Sequence, residues 1–382
     1  MISIVHLITG LDTGGAESTL VGLLSRFDRR RFSNSVVSLT GEGTNGHRIR
    51  ELGIPLTPLH MRSVPGPWTL WSAARAIRAA RADIVQTWLY HADLVGALVA
   101  PAAGARNLCW NIRCAELDPA HHARSMRAAL ALLARLSPRP ATIVVNAAAG
   151  RRAHERLGYR PKRWELIPNG FDTQKFSLSP ERRERFRARL GVSRESPLVG
   201  LVARYHPMKD HATFIKAAAI VAGQRPDVHF VMAGLGVTRD NAALTETLEK
   251  AKLLASTHLC GEVEDVAELY AGLDIAVCSS YSEAFPNVIG EAMSCGVPCV
   301  ATAVGDTADL VGTTGRIVPP RDGQALAAAL LELLGFDRAA RGALGRAARE
   351  RIVSEYSLDR AVARYEQLYE DLAAARYHDE AA

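Results

Sequence analysis

The stretch from Asp274 to Thr302, DIAVCSSYSEAFPNVIGEAMSCGVPCVAT, leaves few folds open. A short apolar run at Ile275–Cys278 gives way to a polar loop, a helix-length segment over Asn287–Cys295, a Gly296 stop, and a second apolar run over Val297–Ala301. The pattern predicts strand, loop, helix and strand in that order. So short a connection implies parallel strands joined by a right-handed crossover. The loop then opens at the carboxyl end of the first strand, the edge where open α/β sheets take ligands. Glu283 lies in that loop, and Glu291 stands about one turn into the helix. Between them, Pro286 suits the first helical position, and the amides around Asn287 and Val288 would face an anion. Carboxylates accept hydrogen bonds from vicinal hydroxyls. Two of them beside an anion hole suit a ligand with phosphate in the middle and a sugar at each end.

The run Ser282-Glu283-Ala284-Phe285-Pro286-Asn287-Val288-Ile289-Gly290-Glu291-Ala292-Met293 resembles the E-x7-E signature of glycosyltransferase family 4. The resemblance implies the α/β GT-B fold, two facing Rossmann-like domains with parallel sheets and a cleft between them, and a retaining transferase. It places the donor hexose on Glu283 and the donor ribose on Glu291, with Ala284, Phe285, Pro286, Asn287 and Val288 between them at the donor. Three further stretches match. Gly14-Gly15-Ala16-Glu17 resembles the glycine loop that opens such chains and faces donor phosphate and acceptor. Arg204 and Lys209, just after the apolar run Leu198–Val202, match the paired cations that stabilise the departing nucleoside diphosphate, and cations at a strand's carboxyl end are placed for that task. Backbone near Gly234, Glu262 and Val263 is implied to surround the nucleoside base. Backbone recognition leaves little side-chain trace, so the base itself is not legible, and a uridine-linked donor is the expectation.

At 382 residues the chain fits two domains of ordinary size. The resemblance divides it into an acceptor domain over 1–168, a donor domain over 169–355 and a tail over 356–382 that crosses back to the first domain. Net charge is +6, from 46 basic and 40 acidic residues, with no long run of one sign. That balance argues against nucleic acid and suits anionic substrates or a membrane surface. The longest apolar stretch, Leu94–Ala105, is too short to span a bilayer and contains Pro101. Met1–Ile8 lacks a basic lead-in, so no signal peptide is read and a cytoplasmic location is expected. Cys109, Cys114, Cys260, Cys278, Cys295 and Cys299 show no metal-ligand pairing beyond one C-x3-C and read as buried thiols.

Strands are expected near Ile2–Thr9, Ser35–Leu39, Pro55–Leu59, Ile84–Thr87, Asn107–Ile112 and Thr142–Asn146, with helices between them. Pro168-Asn169-Gly170 has the chemistry of a hinge turn. A second alternation starts at Leu198, with strands at His229–Ala233, His258–Cys260 and Arg316–Pro319. Two stretches in the first half are candidates for the acceptor. His91 and Asp93 follow a strand end among aromatic residues and read as a sugar or lipid-headgroup surface, or as a simple helix cap. Arg113 and Cys114 follow the next strand, where many relatives place a histidine near the reacting sugar. His121–Arg139, with Arg124, Arg127, Arg135 and Arg139 around an Ala/Leu body, reads as a surface helix or as a contact with anionic membrane. Leu358–Ala375 has amphipathic helical spacing, and His378–Ala382 reads as a frayed end.

No D-x-D pair offers a handle for a divalent metal on a sugar nucleotide. Arg204, Lys209 and backbone amides would then stabilise the leaving diphosphate, which implies a metal-independent enzyme with no cofactor beyond its nucleotide-sugar donor. The acceptor would be a glycan or lipid-linked sugar. A nucleotide-sugar epimerase of the same fold and a non-catalytic sugar-nucleotide-binding regulator are the alternatives.

Overall fold

This computed structural model describes residues 1–62, 65–114 and 124–379. The alternation of apolar runs and helices builds two all-parallel sheets. The first contains β1 (Ile2–Ile8), β2 (Phe32–Ser38), β3 (Leu56–Pro58), β4 (Ile84–Trp88), β5 (Asn107–Ile112), β6 (Thr142–Val145) and β7 (Trp164–Leu166), in the order β3-β2-β1-β4-β5-β6-β7. The second contains β8 (Leu198–Val202), β9 (His229–Ala233), β10 (Thr257–Leu259), β11 (Ile275–Cys278), β12 (Cys299–Thr302) and β13 (Arg316–Val318), in the order β10-β9-β8-β11-β12-β13.

Both faces of each sheet are covered, which is why the strands read as near-continuous apolar runs. Along β1, Ile4 and Ile8 enter one core while Val5 and Leu7 enter the other. β2 begins at Phe32, three residues before the apolar run, and pairs with β1 along its whole length. Its polar Asn34 escapes a hydrophobicity reading because its carboxamide is satisfied by the buried His6 ring at 3.0 Å.

The chain forms two compact units, Met1–Gly170 together with the segment from Leu358, and Phe171–Ser357. In the first, the helix Leu358–Asp379 repeats buried residues at Val362, Tyr365, Leu368 and Tyr369, and these share a core with Ile4, Leu20, Phe27 and Trp88. In the second, the helix Pro180–Leu190, capped by Ser179, turns Arg183 and Arg187 onto Asp274 at the start of β11. Arg187 is only 2% exposed, and Asp274 also accepts the Leu198 amide at 2.8 Å. A charged network thus joins that helix to β8 and β11.

The helix expected over His121–Arg139 is described from Arg124 to Leu136, with Arg127, Arg135 and Arg139 exposed; its first three residues lie outside the described ones. The side chains of the expected frayed end, His378–Ala382, lie outside them too. Among the described residues no helix is long and apolar enough to cross a membrane. All six cysteines are free; Cys114 and Cys260 are half-buried rather than buried.

Candidate active site

Strand order reverses between β1 and β4 in one sheet and between β8 and β11 in the other. Crevices at such switch points, beyond the carboxyl ends of the strands, are where doubly wound sheets bind ligands. In the second unit the loops after β8 and β11 meet there. After β8, Pro207–Lys209 forms a single 3-10 turn, and Asp210, at φ 49°, caps the following helix by accepting from the Thr213 amide and hydroxyl. That turn projects Lys209 onto Glu283, with which it forms an ion pair. Ser280 donates a second hydrogen bond to the same carboxylate oxygen at 2.8 Å. Two backbone ties hold the loops together, the Tyr281 amide to the Met208 carbonyl at 3.0 Å and the Ser279 hydroxyl to the Lys209 carbonyl at 2.9 Å. Arg204 is exposed on the first of these loops. His206, between the two cations, has its pKa lowered by burial and by the charges of Arg204 and Lys209.

The helix Asn287–Ser294 starts where the helix-length segment begins, so Pro286 is not its first helical residue. Pro286 keeps an extended ψ of 101° and occupies the N-cap position. Ala284, Phe285 and Pro286 are buried, Asn287 and Val288 half-buried. Phe285 stacks on Phe171 at 6.2 Å, and a β-carbon on Gly290 would strike that Phe171 ring. Glu291 accepts a hydrogen bond from the Tyr270 hydroxyl at 3.2 Å. Burial pushes its carboxyl up to about 7, against smaller downward effects from Tyr270 and Lys175.

Gly305, at φ 56°, would place a β-carbon 2.3 Å from the Glu283 and Ala284 carbonyls, so only glycine allows this close approach. Gly234, at φ 139°, lies equally close to the Ala203 carbonyl, and its amide bonds the Gly261 carbonyl at 2.6 Å. Glu262, exposed, and Val263, half-buried, follow Gly261. Sequence reasoning missed Ser280, Tyr270 and Lys175. Ser280 lies in the signature loop and was open to discovery there, whereas nothing in the pattern pairs Tyr270 or Lys175 with Glu291.

In the first unit, Gly14 is the N-cap and Gly15 the first residue of the helix Gly15–Leu24 that follows β1. After β4 the chain turns sharply through Leu89, a bulky residue at φ 72°, into the helix Tyr90–Val99. A strained residue at a strand's carboxyl end marks a candidate site. His91 is half-buried in the first turn. Asp93 departs from the acceptor-surface expectation: it is 1% exposed and accepts the Thr87 hydroxyl. Burial raises its pKa well above the carboxylate range, so this side chain is an internal brace.

Arg113 follows β5 and lies over the Trp88 ring, 5.3 Å from its centroid. Beside it, Cys114 Sγ lies 2.6 Å from the Tyr90 hydroxyl, which lies 3.0 Å from His154 Nε2. Burial lowers His154 to about 4 and raises Cys114 to about 11, so both are neutral at pH 7. Among the described residues no cluster of His, Cys, Asp and Glu is arranged to hold a metal ion.

Residues 13–175 match the family model described as Glycosyltransferase Family 4, and residues 196–335 match the model described as Glycosyl transferases group 1. Over 249 residues the chain is 34% identical to a D-inositol 3-phosphate glycosyltransferase of Geodermatophilus obscurus, covering 61% of this chain and 54% of that protein. It thus spans about half the length of that relative. Over 309 residues it is 24% identical to the putative glycosyltransferase EpsF of Bacillus subtilis, covering 78% of each. The crystal structure of Anabaena HepE in complex with UDP and glucose superposes with a TM-score of 0.85 at 23% identity, over 97% of this chain and 100% of that one. That likeness shows the GT-B fold.

Proposed function

Because the chain belongs to glycosyltransferase family 4, we propose that it is a retaining, metal-independent glycosyltransferase. It moves a hexose from a nucleoside-diphosphate sugar, uridine-linked, to a hydroxyl of a glycan or lipid-linked acceptor. One observation carries the reading. Lys209 and Glu283 arrive from two different strands at the switch point of the second sheet and are held there as a pair, with Ser280 fixing the carboxylate.

In the proposed reaction Lys209 and Arg204 take up the charge that develops on the departing diphosphate, and Glu283 accepts hydrogen bonds from the hexose. Glu291, positioned by Tyr270, accepts the ribose hydroxyls. The acceptor hydroxyl attacks the face the diphosphate leaves, and the leaving phosphate oxygen takes its proton. A uridine nucleotide is favoured by the UDP and glucose named for HepE, and a hydroxyl-rich acceptor by the inositol phosphate named for the Geodermatophilus relative.

A thermal-shift screen in EDTA with uridine, guanosine and adenosine diphosphates tests the reading. Selective stabilisation by the uridine nucleotide is expected. No stabilisation at high ligand concentration would overturn it.

The exposed Arg127, Arg135 and Arg139, together with the stacked and exposed Trp68 and Trp71 on the helix Pro67–Ala79, support peripheral contact with anionic membrane. Flotation with liposomes that ignored lipid charge would count against that contact.

A further inference from the structure

Arg113 is held in a way that a purely structural arginine does not require. Its Nη2 donates to Asn169 Oδ1 at 2.7 Å, and Nη1 reaches Asn111 Oδ1 at 3.4 Å and the Tyr365 hydroxyl at 3.5 Å. These partners are themselves fixed, since Asn111 donates to Tyr365 at 2.9 Å and Asn146 donates to Asn169 at 3.3 Å. The Trp88 face supports the guanidinium from one side. Every one of these partners is neutral.

Among the described residues no carboxylate lies within ion-pair distance of Arg113, and Glu17 acts on it only through its field. Asp93, the acid of the neighbouring strand-to-helix turn, is buried and accepts from the Thr87 hydroxyl rather than from Arg113. A guanidinium carries five N–H donors in a fixed fork, and its Nε–H has no partner among the described residues. A half-buried, oriented cation with no ion-pair partner among the described residues is costly to keep unless an anion completes it. Its fork matches a tetrahedral oxyanion, and its place is the carboxyl edge of the sheet, one strand from the strained turn at Leu89 and His91.

We propose that Arg113 binds a phosphate group carried by the acceptor. This inference rests on the transferase reading and narrows its acceptor to phosphorylated compounds. Arg113 thereby sets which acceptor is taken, while Lys209 and Glu283 handle the donor.

The first test is a thermal-shift titration of the full chain with inorganic phosphate at constant ionic strength, for wild type, Arg113→Gln, Arg113→Lys and Lys209→Ala. Arg113→Gln keeps a hydrogen-bonding amide but no charge, and phosphate should bind it at least tenfold more weakly. Arg113→Lys keeps the charge without the fork and should lose several-fold. Should the glutamine variant not fold, the lysine variant decides. Lys209→Ala should keep the Arg113-dependent part of the phosphate response, read as its further loss in the Lys209→Ala/Arg113→Gln double variant. Wild-type phosphate binding in both Arg113 variants, or a loss confined to Lys209→Ala, overturns the proposal.

The second test is kinetic. Arg113→Gln should raise KM for phosphorylated acceptors at least tenfold and leave KM for the nucleotide sugar unchanged. A rise in donor KM instead would assign the anion to the donor and overturn the acceptor role. The two readings fail separately: lost uridine diphosphate binding with intact Arg113-dependent phosphate binding sinks the transferase reading alone, and the converse result sinks only this one.

Discussion

The carboxyl edges of the two sheets treat charge in opposite ways. After β8 and β11, the functional cation meets an acid, Lys209 with Glu283. After β5, the described partners of Arg113 are carboxamide and phenol oxygens and the Trp88 ring. A paired charge is complete before any ligand arrives, and it orients through its partner. An unpaired charge is oriented by dipoles and retains its full pull on an anion. One unit therefore carries a preset charged site, the other a site that a ligand must finish.

The comparison breaks most sharply at the preset pair. Lys209→Ala and Glu283→Gln should each cut turnover about 10³-fold, on the scale of losing one preorganised electrostatic stabiliser. Folding should survive, because both side chains sit on loops at the sheet edge. Steady-state transfer assays with circular dichroism as a control decide the matter, and near-wild-type rates in either variant would remove the site assignment.

Next in size is Asp274→Ala, which strands the nearly buried Arg187 guanidinium and should cost about 3 kcal/mol of unfolding free energy by chemical denaturation. A loss below about 1 kcal/mol would mean that the carbonyls of Ser193 and Gly272, which Arg187 also contacts, already satisfy the charge.

The smallest expected effect concerns Glu291, whose folded pKa of about 7 lies above its ordinary 4.5. The folded state holds the extra proton between those values, so stability should fall as pH rises through that window and settle at a lower value above pH 7. Glu291→Gln should flatten this slope. Nucleotide affinity should run the other way and rise as pH passes 7, because the ionised carboxylate is the better acceptor for ribose hydroxyls. A pH-independent affinity would detach Glu291 from the ribose.

Strands β8 and β11 are legible in the sequence to the residue, because strands buried on both faces leave unbroken apolar runs, and β5 and β9 are equally legible despite Asn111 and His229. β2 is less so, since a half-buried Asn34 bonded to the buried His6 looks like a loop residue until its partner is known. The same limit governs the site. Glu283 and Lys209 announce themselves by local pattern, while the Tyr270 hydroxyl that positions Glu291 lies 21 residues upstream, in the helix Val266–Gly272. Asp93 shows the converse failure. An acid after a strand end reads as available, and only the fold reveals the Thr87 hydroxyl that donates to it.

The helix Leu358–Asp379 completes the core of a unit whose other elements all lie before residue 171. On the ribosome, the first unit is therefore the last to be finished. Its sheet emerges early, yet the apolar face that awaits Tyr365 and Tyr369 stays uncovered until the entire second unit has been synthesised. Order of synthesis and order of completion are inverted. A stop codon anywhere after residue 170 and before 358 would release a nascent protein with a sheet face that nothing in the remaining chain was built to cover.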